Sequence, residues 1–219
     1  MNSEDSNEPA SAAERARENV YDQFLKIQLT YLRELYRHLP EYLEQCLPAI
    51  REKDVFSFSA FGEPCIIRPE GITLGGKPLT GPKGILIALY ARNARREPVQ
   101  HNPLKSFKEI KDSMPYQGAF TTRSERSLVP FVSPIQRCKK KVIEAFDGHE
   151  NEGASGDFSF TVYPLPKIPL YYIFYCADDE FPASVTCLFA ANAELFLPVD
   201  GLADVAEYTA KKIIEITTS

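Results

Sequence analysis

Val20, Phe24, Ile27, Tyr31 and Leu35 recur at helical spacing, with Arg33, Glu34 and Arg37 on other sides. A stripe of this kind is what an α-helix buries along one side. The spacing predicts a helix over about 18–38, then a short second helix over 41–47 that Pro40 opens and Pro48 follows. Next the period falls to two. Phe56, Phe58 and Ala60 alternate with Ser57 and Ser59, as in a half-buried strand. Gly62-Glu63-Pro64 and Pro69-Glu70-Gly71 are turn signals, so residues 65–68 and 72–74 read as further strands and 54–80 as a β-meander.

Thr80-Gly81-Pro82 marks another helix start, carried by Ile85, Leu86, Ala88 and Leu89. Arg92, Arg95 and Arg96 are expected in its last turn, where cations suit the helix dipole. The polar stretch 97–127 predicts only a helical turn over 106–112 and a short strand over 117–121. Ser133-Pro134 opens a helix whose stripe is Ile135, Cys138, Val142 and Phe146, ending at Gly148. Arg137, Lys139, Lys140 and Lys141 form its solvated face.

A loop over 148–156 and a strand over 158–163 follow. Residues 169–176 are apolar on both faces, which predicts a central strand. Residues 185–189 read as a strand or a short helix, and Asp200, with Asp204 in the first turn, opens a final helix through Leu202, Val205, Tyr208, Ile213 and Ile216. The irregular alternation, rich in hairpins, predicts an α+β fold. An antiparallel sheet packs with helices, between an N-terminal helical segment and a C-terminal helix. One domain is expected over 19–219, after a disordered or frayed tail over 1–18.

With 219 residues, 44% apolar and 25% charged, the composition excludes collagen, coiled coil and wholesale disorder. A chain of this size buries roughly 70% of its unfolded surface and needs no disulfide or metal to fold. The five cysteines are odd in number and contain no C-x-x-C, which points to reduced thiols in the cytoplasm and to no metal or iron–sulfur site. The first 18 residues lack the basic start and apolar centre of a signal peptide, and no apolar run approaches the length of a membrane helix.

Charge changes the picture more. The net is −5, but residues 83–141 carry 13 basic and 4 acidic groups, and residues 142–219 carry 3 and 13. Either these segments neutralise each other in the fold, or the middle one keeps a basic surface for an anionic small molecule. Arg92, Arg95, Arg96 and Arg123 are the candidate anion-binding residues. Nucleic acid is not expected, because the chain is acidic and has no basic–aromatic motif.

Four motifs carry candidate chemistry. Gly71-Ile-Thr-Leu-Gly-Gly-Lys77-Pro78 approaches a P-loop, but Pro78 stands where a hydroxyl must hold magnesium, so a turn between strands is the better reading. Gly153-Ala-Ser-Gly156 lacks the spacing of a nucleophile elbow. His38, His101 and His149 fit no metal spacing. Asp178-Asp179-Glu180 is the most chemical feature: three carboxylates leave an apolar strand in succession. Strand alternation would put Asp178 and Glu180 on one side, where two carboxyl groups could hold a hard cation or perform acid–base work. These three are the candidate catalytic residues, expected to line a pocket with at least one partly buried. The alternative is a solvated strand end.

Pro164-Leu-Pro-Lys-Ile-Pro-Leu-Tyr-Tyr-Ile-Phe-Tyr-Cys-Ala-Asp-Asp-Glu-Phe-Pro182, followed by Leu188-Phe189 and Leu197-Pro198, resembles the domain of unknown function 3786 family. Residues 84–90 and 106–120 resemble it too, and the likeness covers most of 20–217. The chain departs from the family pattern at Ala190-Ala191, where an Asp commonly follows Leu-Phe. The resemblance implies a bacterial or archaeal cytoplasmic protein and no particular activity. Some relatives are joined to iron–sulfur domains of the kind seen with corrinoid methyl-transfer proteins, which hints at corrinoid or one-carbon metabolism. The expected function is therefore a small-molecule or cofactor-binding accessory domain. A carboxylate-dependent enzyme and a protein-interaction module are the alternatives.

Overall fold

The computed structural model describes residues 12–153 and 155–219, so the tail expected over 1–18 lies outside the described residues through position 11. Helix α1 (Ala12–Arg37) starts earlier than the apolar stripe predicts. Its first turns are built from Ala, Glu and Arg, strong helix formers that need no apolar stripe. The buried side of α1 is also rotated from the expected one: Gln28, Leu32 and Leu35 are buried, while Val20 and Ile27 are 47% and 43% exposed. Gln28 packs on Gly84 of α3 (Pro82–Arg92), where any Cβ would collide with its amide oxygen, and neither end of its buried amide has a hydrogen-bond partner among the described residues.

After the short α2 (Leu43–Cys46), the meander forms as expected. Strands β1 (Ile50–Glu52), β2 (Val55–Ala60), β3 (Glu63–Arg68), β4 (Gly71–Leu74) and β5 (Lys77–Leu79) pair antiparallel in sequence order. The P-loop-like glycines are the two turn residues between β4 and β5. Gly75 and Gly76 have φ of 57° and 77°, and Leu74 pairs with Lys77. Positive φ at both positions is the requirement of a tight hairpin turn of this twist.

A second antiparallel sheet has the order β6 (Lys105–Ser106), β10 (Ser184–Phe189), β9 (Ile168–Tyr175), β8 (Phe158–Leu165), β7 (His149–Glu150). The segment expected as a central strand is β9, flanked on both sides, with Leu170, Tyr172 and Phe174 fully buried on one face. Phe158, Phe160, Tyr172 and Phe174 form a continuous aromatic row across β8 and β9. The two sheets are joined where the Phe61 N–H donates to the Pro164 carbonyl at 2.7 Å.

The strand expected over 117–121 is instead helical. α4 (Gln117–Phe120) runs into a wide π-type turn over Thr121–Glu125 and a tight helical stretch over Arg126–Phe131, which leads to α5 (Val132–Ala145). The reason is a stripe at intervals of four: Phe120, Ser124 and Leu128 are all buried. Phe120 stacks on Phe107 at 4.3 Å between ring centroids, and both meet Phe189 of β10. The C-terminal helix α6 (Val199–Thr218) packs on α5 and on the wide turn.

Candidate functional site

Asp178, Asp179 and Glu180 are all exposed. Strand β9 ends at Tyr175, so alternation no longer governs these residues. Asp178 Oδ1 instead accepts the backbone N–H groups of Glu180 (2.8 Å) and Phe181 (2.7 Å), while its own N–H donates to the Phe181 carbonyl. A short carboxylate that satisfies the chain two and three residues on is a turn-forming device. Those N–H groups hold the Asp178 carboxyl below its ordinary range. The burial expected for at least one of the three is absent, although Asp178 does border a depression.

That depression, about 490 Å³, is lined by Asp157, Tyr175, Cys176, Asp178, Phe181 and Pro182, and it meets a second at Ser184. The second, about 500 Å³, is lined by Thr121, Glu125, Arg126, Val129, Pro130, Ala183 and Val185. Together they make a groove between the turn after β9 and the segment before α5. Phe181 is 65% exposed and Tyr175 is 41% exposed along it. Cys176 is half-buried there. Its N–H donates to Asp157 Oδ2 at 2.6 Å, and burial together with that carboxylate pushes its thiol pKa up.

Glu125, like Asp157, is a groove carboxyl that the sequence did not single out. Its Oε1 accepts the Cys187 N–H at 3.1 Å, and burial raises its pKa. The next residue, Arg126, is exposed and has no ion-pair partner within 4.0 Å among the described residues. A raised folded-state pKa means that ionising Glu125 costs stability. Its contribution is most favourable below the unfolded value of about 4.3 and is lost as pH rises through the raised folded value. Glu125→Gln keeps an acceptor for Cys187, so urea melts against pH are expected to show that decline flattened.

The four sequence-derived arginines are not gathered into one site. α3 ends at Arg92, so Arg95 and Arg96 lie beyond the helix rather than in its last turn. Arg92 Nε meets Glu34 Oε2 at 2.9 Å and its guanidinium lies over Tyr31, while Arg96 lies over Tyr42 at 4.1 Å. Lys167 Nζ donates to the carbonyls of Arg95 and Glu97, pinning that segment. Arg123 stands elsewhere, against Glu207 of α6 at 3.2 Å. The opposite charges of the middle and C-terminal segments thus meet in part, through Lys105–Glu194, Arg123–Glu207 and Lys139–Glu150.

A family model described as Domain of unknown function (DUF3786) matches residues 40–212. The chain belongs to this family. The matched region holds every residue of the groove. No curated protein and no solved structure matches the chain. Among the described residues, no helix is long and apolar enough to cross a membrane, and no group of three or more His, Cys, Asp or Glu side chains is placed to hold a metal ion.

Proposed function

We propose that this DUF3786 protein is a binding domain whose groove takes an anionic small molecule. Arg126 meets the ligand's acidic group, and Val129, Pro130, Phe181 and Pro182 hold its apolar body. The observation that supports this most is Arg126 itself, a cation without an ion-pair partner among the described residues beside an apolar wall. Sites of this kind are mostly apolar, with a few polar groups that fix orientation. Arg95, also without an ion pair among the described residues, adds to the long-range attraction. Arg92, Arg96 and Arg123 are engaged with Glu34 and Tyr31, Tyr42, and Glu207 respectively, which favours Arg126 over them. The narrower link to corrinoid or one-carbon metabolism rests on the family resemblance alone.

The enzyme reading draws on Asp178 at the groove edge. Its Oδ1 already accepts the N–H groups of Glu180 and Phe181, which suits a positioning role better than acid–base work. A protein-interaction surface is favoured by the exposure of Tyr175 and Phe181.

The deciding experiment is a thermal-shift screen of nucleotides, corrinoids, folates and inorganic phosphate at low and high salt. At least one anion is expected to raise Tm at low salt and to do so less at high salt. Losing a charge-assisted hydrogen bond costs about 1.5–3 kcal/mol, so Arg126→Ala is expected to weaken that ligand at least tenfold. If no anion stabilises the protein at low salt, or if Arg126→Ala binds as well as the parent, the binding reading fails and the interaction surface replaces it.

A further inference from the structure

The groove runs along the free edge of a strand. In β9 the Phe174 carbonyl accepts the Asp157 N–H on the β8 side, so alternation turns the backbone groups of Tyr171, Ile173 and Tyr175 toward β10. Their partners Leu188, Thr186 and Ser184 turn back to β9. Val185, Cys187 and Phe189 are therefore left with their N–H and C=O groups on the outer edge of β10.

Two of these three positions are covered. Phe189 pairs with Lys105 of β6, a strand of only two residues. The Cys187 N–H donates to Glu125 Oε1 at 3.1 Å. Val185 is the third, and among the described residues no group from outside the sheet reaches its N–H or its carbonyl. An open edge offers backbone groups that another chain can meet, and proteins ordinarily blunt it. Here the blunting stops where the groove begins, because Val185 itself lines the depression of about 500 Å³, with Ala183 and Ser184.

The opposite wall limits what can lie along this edge. It is the segment that carries Thr121, Arg126 and Val129. Glu125 ties that wall to β10 at Cys187, so the gap is bridged at one end. It is open at Ser184, which is exposed and borders both depressions. An extended chain can enter beside Ser184 and lie along Val185, but it cannot run on past Cys187. Its end must lie inside the groove. The cation in that depression is Arg126, which suits a carboxylate end and repels an ammonium end.

We infer that the groove takes the C-terminal end of an extended peptide, whose backbone pairs with Val185 at the edge of β10 and whose terminal carboxylate meets Arg126. This rests on the anion-binding reading of the groove and names the class of the anion. In strand addition of this kind, main-chain hydrogen bonds give affinity and wall pockets give preference among side chains. Here the wall is Val129 and Pro130, which favours an apolar residue near the terminus. A chain whose C-terminal end lies nearest Cys187 runs parallel to β10, so the Val185 N–H and carbonyl serve two different peptide groups.

The test titrates the acetylated tetrapeptide Ac-Ala-Val-Ala-Val, with a free carboxylate, into the full chain and follows amide chemical shifts. Its C-terminal amide, butyrate, and two analogues each N-methylated at one middle residue are run in parallel. The peptide is expected to shift the Val185 amide saturably and to slow its hydrogen exchange, while butyrate does neither. The C-terminal amide is expected to bind at least tenfold more weakly, and Arg126→Ala to weaken the acid but not the amide. Peptide N–H groups alternate in direction along an extended chain, so one N-methyl analogue is expected to lose at least tenfold and the other to bind about as well as the parent peptide. If both N-methyl analogues bind like the parent peptide, or butyrate shifts Val185 as strongly, this inference is overturned and the anion-binding reading stands. If the C-terminal amide binds as tightly as the acid, or Arg126→Ala changes nothing, both fall together. The absence of any saturable shift with the peptide also overturns the inference.

Discussion

Phe189→Ala is expected to cost about 3–5 kcal/mol of unfolding free energy, the range for truncating a buried aromatic side chain. Phe189 is fully buried, and its ring lies 5.9 Å from Phe107 and 5.8 Å from Phe120, which stack on each other. Removing it takes away its own buried area and also the shared edge partner of two other rings. Domains are stable by only about 5–15 kcal/mol, so the variant sits near the threshold of folding. The loss has a direction as well as a size. Phe189 holds β10 against α4, and the chain from α4 onward carries Ser124, Glu125 and Arg126. Hydrogen exchange is expected to accelerate more over residues 117–131 than in the meander β1–β5. Urea denaturation followed by circular dichroism measures the magnitude. A cost below about 1 kcal/mol, or a uniform rise in exchange, would show that the aromatic cluster does not organise this side of the protein. Phe189→Leu, which keeps most of the volume, is expected to cost under about 1.5 kcal/mol.

Gly148→Ala should destabilise by about 3 kcal/mol, at the upper end of the overpacking range. A Cβ at Gly148 would stand 2.3 Å from the Thr161 carbonyl oxygen and 3.3 Å from the Val162 Cα. Both are backbone atoms of β8, where Thr161 and Val162 pair with Tyr171 and Leu170 of β9, so neither yields cheaply. Gly148 itself is tied to the end of α5 by a 2.8 Å hydrogen bond from its N–H to the Ile143 carbonyl. The left-handed residue after α5 is Asp147, at φ 50°, so the glycine at 148 is needed for the close approach of two chains rather than for a left-handed cap. Gly118→Ala is the control. It lies in α4 with nothing within 4 Å of the added methyl, and it is expected to stabilise by about 0.5–1 kcal/mol. Equal effects at the two positions would contradict the steric account.

Expectation and fold agree where one segment contains its own reason. β9 shows in the sequence because a strand buried on both faces is apolar at every position. The Gly75-Gly76 hairpin shows because a two-residue turn needs positive φ at both positions. α5 shows because Ile135 and Val142 recur on the side it buries. Expectation fails over 117–121, where a strand was expected: Ser124 interrupts the apolar stripe that the segment begins, and the helix widens around it. A polar residue inside a buried stripe reads as a break in the pattern.

Asp178-Asp179-Glu180 stood out as three adjacent charges, but their use was not evident. Alternation predicts sides only while a strand continues, and here the chain turns over after Tyr175. Arg126 and Glu125 gave no signal, because the residues that face them across their depression, Ala183 to Val185, lie more than fifty positions further along. Likewise the sequence determined that the middle segment is basic and the C-terminal one acidic. Only the tertiary structure decided that Arg123 meets Glu207 while Arg126 meets no acid within ion-pair distance among the described residues. Period and composition are properties of neighbouring residues, so the sequence alone determined the α+β class, the meander and the central strand. Which distant side chains share a groove depends on how those elements pack, and buried rings such as Phe107, Phe120 and Phe189 settle that packing.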